Sequence, residues 1–398
     1  MRVQRPSKTG RIAACLAVLA CACSEPAPNK IDRETLGRSE LHRAAAAGRS
    51  DLVRDLLARG ADPNGPGIEG WTPLHEAAAH ARGDVARLLL ERGADPGSRT
   101  ASGFAALDLA IQAGDAKLAE ALLARGVAHD ERLAGGWTPL HAAAQHGQGE
   151  LVRALCSLGA DVSVRSDHGW TPLHVAALAG QTRIAQELLE RGAAVDARTD
   201  RGETPLCVAA RSTARDSEAS VALLLARGAD PRARDASGAT PLHAAARGGS
   251  AASVGWLLEA GSALEARDLG GRSALALAVI EQRSEAVSAL LARGARPDAA
   301  DDQRMMPLHF AAIFDSPEIA LLLALRGAPL EARNLHEATP LFLAAQLGHE
   351  RGVELLLARG ADPHTRAVDG TTCLESALRG GHADAAELLL RAEERTRR

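Results

Sequence analysis

Five histidines recur along this 398-residue chain, His75, His141, His174, His243 and His309, and imidazole is the side chain most often used for proton transfer and metal binding near neutral pH. The first belongs to His75-Glu76-Ala77-Ala78-Ala79-His80, two nitrogen ligands flanking an acid, the donor set of a hydrolytic zinc site. Their five-residue spacing turns the two imidazoles about 140° apart on a helix, so one ion cannot take both. The cysteines Cys156, Cys207 and Cys373 are single, with no Cys-x-x-Cys pair among them. There is no glycine loop with lysine to cradle phosphate and no Gly-x-Ser-x-Gly elbow to expose a nucleophile. The expectation is therefore a protein without catalytic residues, bound metal or cofactor.

What must position the histidines is visible around them. Thr-Pro-Leu-His stands complete at Thr72–His75, Thr138–His141, Thr171–His174 and Thr240–His243. A glycine two residues ahead of the threonine recurs at Gly70, Gly103, Gly136, Gly169, Gly202, Gly238, Gly271 and Gly370, with Arg304 and Glu337 in the same place in two copies. Successive copies are 33 residues apart except from Gly202 to Gly238, and a degenerate copy begins at Gly37. Each copy reads as two helices. Proline suits the first turn of a helix, where a missing N–H costs nothing, and threonine can cap its free donors. Paired leucines such as Leu89/Leu90 and Leu188/Leu189 mark the second helix, and a glycine such as Gly93 or Gly192 suits its left-handed stop.

A unit of this size cannot bury its own leucine stripe, so neighbours must stack to make one continuous core. The 33-residue period with Thr-Pro-Leu-His resembles the ankyrin-repeat family. The resemblance implies an all-α solenoid of stacked helix-turn-helix units joined by β-hairpin loops, about eleven repeats over residues 39–398. It also implies that the motif histidine hydrogen-bonds between neighbouring turns. The first copy lacks Thr-Pro, and the last runs from Leu388–Leu390 into Arg391–Arg398 without a terminating glycine, so both ends read as solvated caps. Cys156, Cys207 and Cys373 fall in different layers. With helices about 8–10 Å apart, two layers exceed the roughly 7 Å reach of a disulfide, and all three read as structural thiols.

Composition agrees. Aromatics make up 2% of the residues, so alanine and aliphatic side chains must build the core. A net charge of −4 without a basic stripe argues against nucleic acid as a partner.

The position directly after the opening glycine is the informative one for binding. It holds Trp71, Phe104, Trp137 and Trp170 in consecutive copies, then Glu203, Ala239, Arg272, Met305, Ala338 and Thr371. In the ankyrin family this slot lies on the projecting hairpin at the rim of the concave face, so the resemblance implies a column of partner-binding aromatics. Large, rigid aromatic side chains dominate interface hot spots. The alternative is that each ring packs within the stack and stiffens it. Family contact positions near the end of the first helix map to Gln145/His146, Leu178/Ala179, Arg211/Ser212, Arg247 and Ile313/Phe314, with Asp167/His168 and Asp200/Arg201 on hairpin tips. Phe310 and Phe314 either form a local core, the favoured reading, or await a partner. The extension within Arg211–Ser220 reads as a longer turn between the helices of the sixth copy.

The first residues are of another kind. Arg2, Arg5, Lys8 and Arg11 precede the apolar run Ile12–Cys23, too short for the roughly 20 residues a spanning helix needs but suited to a secretory signal. Small residues ahead of Cys21 and Cys23 resemble a bacterial lipoprotein signal, in which the cysteine after the cut is lipidated. Residues 1–23 are then the signal and 24–38 a flexible tether. The implied location is the periplasmic face of the outer membrane. The expected function is a monomeric, non-catalytic scaffold that binds an as yet unidentified protein through its groove. The alternatives are an inhibitor or immunity protein for a secreted toxin or hydrolase, or a secreted effector acting in another cell.

Overall fold

A computed structural model describes residues 39–132 and 134–396. The predicted signal and tether, with Cys21 and Cys23, lie outside the described residues. The described residues divide into two compact units, one ending at residue 168 and the other beginning at residue 169. The first unit contains four helix pairs: Glu40–Ala46 with Ser50–Ala58, Pro73–Ala79 with Gly83–Glu91, Ala106–Gln112 with Ala116–Leu123, and Pro139–Gln145 with Gly149–Ser157. The second contains seven. They are Pro172–Leu178 with Thr182–Glu190, Pro205–Arg211 with Ser217–Ala226, Pro241–Gly248 with Ala251–Glu259, Ala274–Ile280 with Ser284–Ala292, Pro307–Ile313 with Pro317–Leu325, Pro340–Leu347 with Glu350–Ala358, and Cys373–Gly380 with Ala383–Thr396. We number these pairs as repeats 1 to 11.

Repeat 2 shows how the sequence builds each unit. Thr72 is extended (φ −97°, ψ 164°), and its hydroxyl accepts the backbone N–H of His75 at 3.4 Å, so the chain turns into a helix at Pro73 with one orphan donor satisfied. In that helix Leu74, Ala77 and Ala78 are buried, and the small alanines let neighbouring first helices approach closely. In the second helix Val85, Ala86, Leu89 and Leu90 form the buried stripe at helical spacing. Within each unit, first helices pack on first helices and second on second in sequence order. The core is therefore a row of leucines shared between layers: Leu74, Leu107 and Leu140 in one unit, and Leu173, Leu206, Leu242, Leu275 and Leu308 in the other.

Four details bear on the sequence expectations. The hairpin loops contain no strand among the described residues, only isolated bridges Arg99↔Ala105 and Arg366↔Thr372, because each loop is too short to carry more than one pair of cross-bonds. The extension of repeat 6 is an ordered turn over Ser212–Asp216. Ser212 Oγ donates to Leu178 O at 2.6 Å, and Ser217 Oγ donates to Ser212 O at 3.1 Å. The last helix, lacking a glycine stop, continues for 14 residues. Phe310 and Phe314 are both half-buried, Phe310 within the first helix of repeat 9 and Phe314 at its C-cap, four residues on.

Candidate functional site

The hairpins that carry the aromatic slot are tight turns with a shared pattern. In repeat 6, the Glu203 carbonyl accepts from Thr199 N–H at 3.0 Å, and Gly202 N–H donates to Thr199 O at 2.8 Å. Three sets of bonds then tie hairpins to their neighbours within a unit.

The first set is backbone. Ala101 N–H donates to Glu69 O (2.7 Å) and Asp167 N–H to Gly135 O (2.9 Å) in the first unit. In the second unit, Ala236 donates to Arg201 O (2.8 Å), Leu269 to Ser237 O (2.8 Å), Asp302 to Gly270 O (3.2 Å), Leu335 to Gln303 O (3.2 Å) and Val368 to His336 O (3.1 Å).

The second set is the histidine row. Nδ1 of His75 accepts from Thr72 N–H at 3.1 Å, which requires the neutral ring and leaves Nε2–H as the donor. That donor meets Ser98 O of the following hairpin at 3.0 Å. His174 reaches Glu203 O (3.1 Å), His243 reaches Arg272 O (3.1 Å), and His309 reaches Ala332 O and Ala338 O (3.1 and 3.2 Å). Burial holds the pKa values of His75, His243 and His309 below the ordinary histidine range. Each ring therefore works as a neutral clamp on the next layer, and the expectation of histidine bonds between neighbouring turns holds at these positions. Repeat 3 has Asp108 in this place. Its Oδ2 accepts from Ala105 N–H at 2.9 Å, and burial pushes its pKa up to about 6.

The third set is a ladder of arginines that the sequence reading missed. Arg198 Nη1 donates to Gly202 O of its own hairpin (3.4 Å) and to Arg234 O of the next (2.8 Å). Arg234 does the same with Gly238 O and Arg267 O (2.7 and 2.8 Å), and Arg267 with Gly271 O and Ala300 O (3.3 and 2.6 Å). Arg333 reaches Arg366 O, and Arg99 and Arg366 each bind their own hairpin glycine carbonyl. The signal was present, since these arginines share one register in their repeats.

On this support the slot side chains are placed. Trp71, Phe104, Trp137 and Trp170 are each half-buried. Three tryptophan rings lean on the motif histidine of their own repeat, with centroids 6.3 Å apart for Trp71–His75, 5.4 Å for Trp137–His141 and 5.9 Å for Trp170–His174. Phe104 has no such partner, because its repeat carries Asp108. One side of each tryptophan is thus fixed while the rest stays exposed. His146 and His168 are exposed, and Arg211, Arg247 and Phe314 are half-buried.

The structure brings slot and helix end together within one repeat. In repeat 6, Arg211 Nη1 binds Glu203 Oε1 at 2.6 Å; in repeat 11, Arg379 Nη1 donates to Thr371 Oγ1 at 3.1 Å. Exposed aliphatics add to this surface in the second unit, namely Leu269 (77% exposed) and Val368 (71%) on hairpins and Leu378 (61%) near a first-helix end. Cys207 and Cys373 are buried single thiols, and Cys156 is only half-buried. Among the described residues no three His, Cys, Asp or Glu side chains converge as metal ligands, and no helix is long and apolar enough to cross a membrane.

No curated protein matches the chain. A family model described as ankyrin repeats in three copies matches residues 9–100, 41–132, 93–166, 159–235, 206–301, 275–367 and 308–397. With Thr-Pro-capped helix pairs, histidine clamps and stacked hairpins all in the matched segments, this chain belongs to the ankyrin-repeat family.

Proposed function

We propose that the protein is a non-catalytic, monomeric scaffold that holds a partner protein against the surface formed by hairpin slots and first-helix ends. It acts at the bacterial cell envelope, on the periplasmic side, where lipid on Cys21 or Cys23 anchors it. Ankyrin repeats as a family bind proteins, and the observation that carries the reading is the way the tryptophans are held. Trp71, Trp137 and Trp170 are backed by a histidine and left half-exposed. Their hairpins are clamped by backbone and side-chain bonds within each unit. Side chains already ordered before binding lose little entropy on contact, which is what an interface anchor requires. His146, His168, Arg211, Arg247 and Phe314 supply the surrounding contacts.

The test is replacement of Trp137 and Trp170 by alanine. The far-ultraviolet circular dichroism should stay unchanged while capture of a specific protein from a cell-envelope extract is lost. Concurrent loss of helicity would assign the rings to the stack instead. Incorporation of labelled fatty acid that disappears on replacing Cys21 and Cys23 tests the anchor, and an unlabelled wild-type protein ends it.

A further inference from the structure

Of the two helix-end arginines of repeats 6 and 7, only one has an acid partner among the described residues. Arg211 has its own acid, Glu203, which stands in the slot of the same repeat and is itself nearly buried. Arg247 occupies the same register one layer on, but its slot residue is Ala239, which offers no acceptor. On the hairpins of repeats 7 and 8 the acids are bonded elsewhere: Asp235 Oδ1 accepts from Ser237 and Ala239, and Asp268 is bound to Arg272. Arg211 thus has a carboxylate partner, whereas the Arg247 side chain forms no ion pair among the described residues. The surplus is visible at the atomic level, since Arg211 Nη2 and Arg247 Nε are both buried and have no hydrogen-bond acceptor among the described residues.

The helices are built to bring this register close. A Cβ at Gly248, the residue after Arg247, would stand 2.7 Å from Ala210 O and 3.0 Å from Arg211 O, so only glycine permits the approach of the two first-helix ends. Leaving buried, charged N–H groups without acceptors is costly, and such groups are normally paired. Their planar fork fits a carboxylate with two parallel bonds. One further carboxylate gives each arginine one acid partner, matching the single charge of Arg247, whereas a dianionic phosphate would bring one negative charge too many beside Glu203.

Resting on the protein-binding reading above, we infer that Arg247, seconded by Arg211, receives an aspartate or glutamate side chain of the protein partner. Both arginines are only half-buried, so a small rotation of the flexible side chain brings the fork to an approaching acid.

The experiment uses the full chain and Arg247→Met, which keeps the volume and removes the donors. Arg211→Met is avoided because it would strand Glu203. If Arg247 waits for an external acid, the methionine variant melts higher than wild type, by roughly 2 °C. Panning a phage-displayed peptide library on the wild-type chain should enrich peptides containing Asp or Glu. Exchanging that residue for its amide should weaken binding roughly tenfold on wild type and less than about twofold on Arg247→Met. A variant that melts lower overturns the inference by making Arg247 structural. Peptides whose amide versions lose equally on both proteins also overturn it. Peptides that depend on Trp170 but not on Arg247 overturn it while leaving the binding reading intact, and failure to enrich any peptide counts against both.

Discussion

Arg304 and Glu337 occupy the glycine position of successive hairpins, both in the left-handed region with φ of 56° and 57°, and their side chains pair with each other at 3.6 Å. Eight other copies keep glycine where the turn needs it, as at Gly202, Gly238 and Gly271. An L-residue in this region costs about 1–2 kcal/mol, and an exposed ion pair returns only about 0–1 kcal/mol. Replacing both residues with glycine adds about 0.5–1 kcal/mol of chain entropy per site to the unfolded state. The double variant Arg304→Gly/Glu337→Gly should still be more stable, by about 1 kcal/mol, in urea unfolding. A loss of stability would show that the pair, and not the backbone, governs these two hairpins.

The arginine ladder should be sensitive to the shape of the cation as well as its charge. Arg234 holds two backbone carbonyls, one in each of two hairpins, at 2.7 and 2.8 Å. Lysine keeps the charge but loses the planar fork. Arg234→Lys should cost about 1 kcal/mol locally, seen as roughly fivefold faster hydrogen exchange at the Leu269 and Gly238 amides. Unchanged exchange would mean that the backbone bonds alone hold the hairpins.

The helices were legible because their signals are local and repeated. Thr72 and Pro73 mark a helix start wherever they occur, and Leu89 with Leu90 mark a buried stripe. The histidine clamp was legible only through family resemblance, since its acceptor lies in the next repeat. The arginine ladder was missed for the same reason without that help: an arginine in a turn reads as a solvated charge until the next hairpin supplies a carbonyl. The imbalance at Arg247 needed three facts that no single repeat contains, Ala239 in its slot, Glu203 committed to Arg211, and the close approach at Gly248.

Asp108 stands where other repeats place a neutral histidine, and the structure penalises its charge. Burial raises its pKa from 3.8 to about 6, so at pH 7 the fold bears the cost of an ionised, desolvated carboxylate, about 3 kcal/mol by linkage. Asparagine can still accept the Ala105 N–H. Asp108→Asn should therefore raise stability at pH 7 by about 1–2 kcal/mol, less than the full linkage value because the amide must also be desolvated. The gain should vanish near pH 4, where the wild-type side chain is protonated. A gain of the same size at both pH values would remove ionisation as the cause.

The histidine clamps predict the opposite response to acid. With native pKa values below the ordinary 6.5, His75, His243 and His309 bind protons more readily unfolded than folded. Their contribution to stability is complete above pH 6.5 and is lost as the pH falls below it, towards the native values. Protonation at Nδ1 would also set a second donor against the threonine N–H, as at Thr240 and His243, 3.1 Å apart. Asp108 works against this trend, because its native form takes up a proton between about pH 6 and 4 while the unfolded chain does not. The Asp108→Asn variant should therefore lose stability more steeply than wild type between pH 7 and 5, with the histidines no longer opposed. Adding His243→Gln and His309→Gln to that variant should flatten the slope. Thermal unfolding of the three proteins across this range checks the argument, and an equally steep slope after both histidines are replaced would refute it.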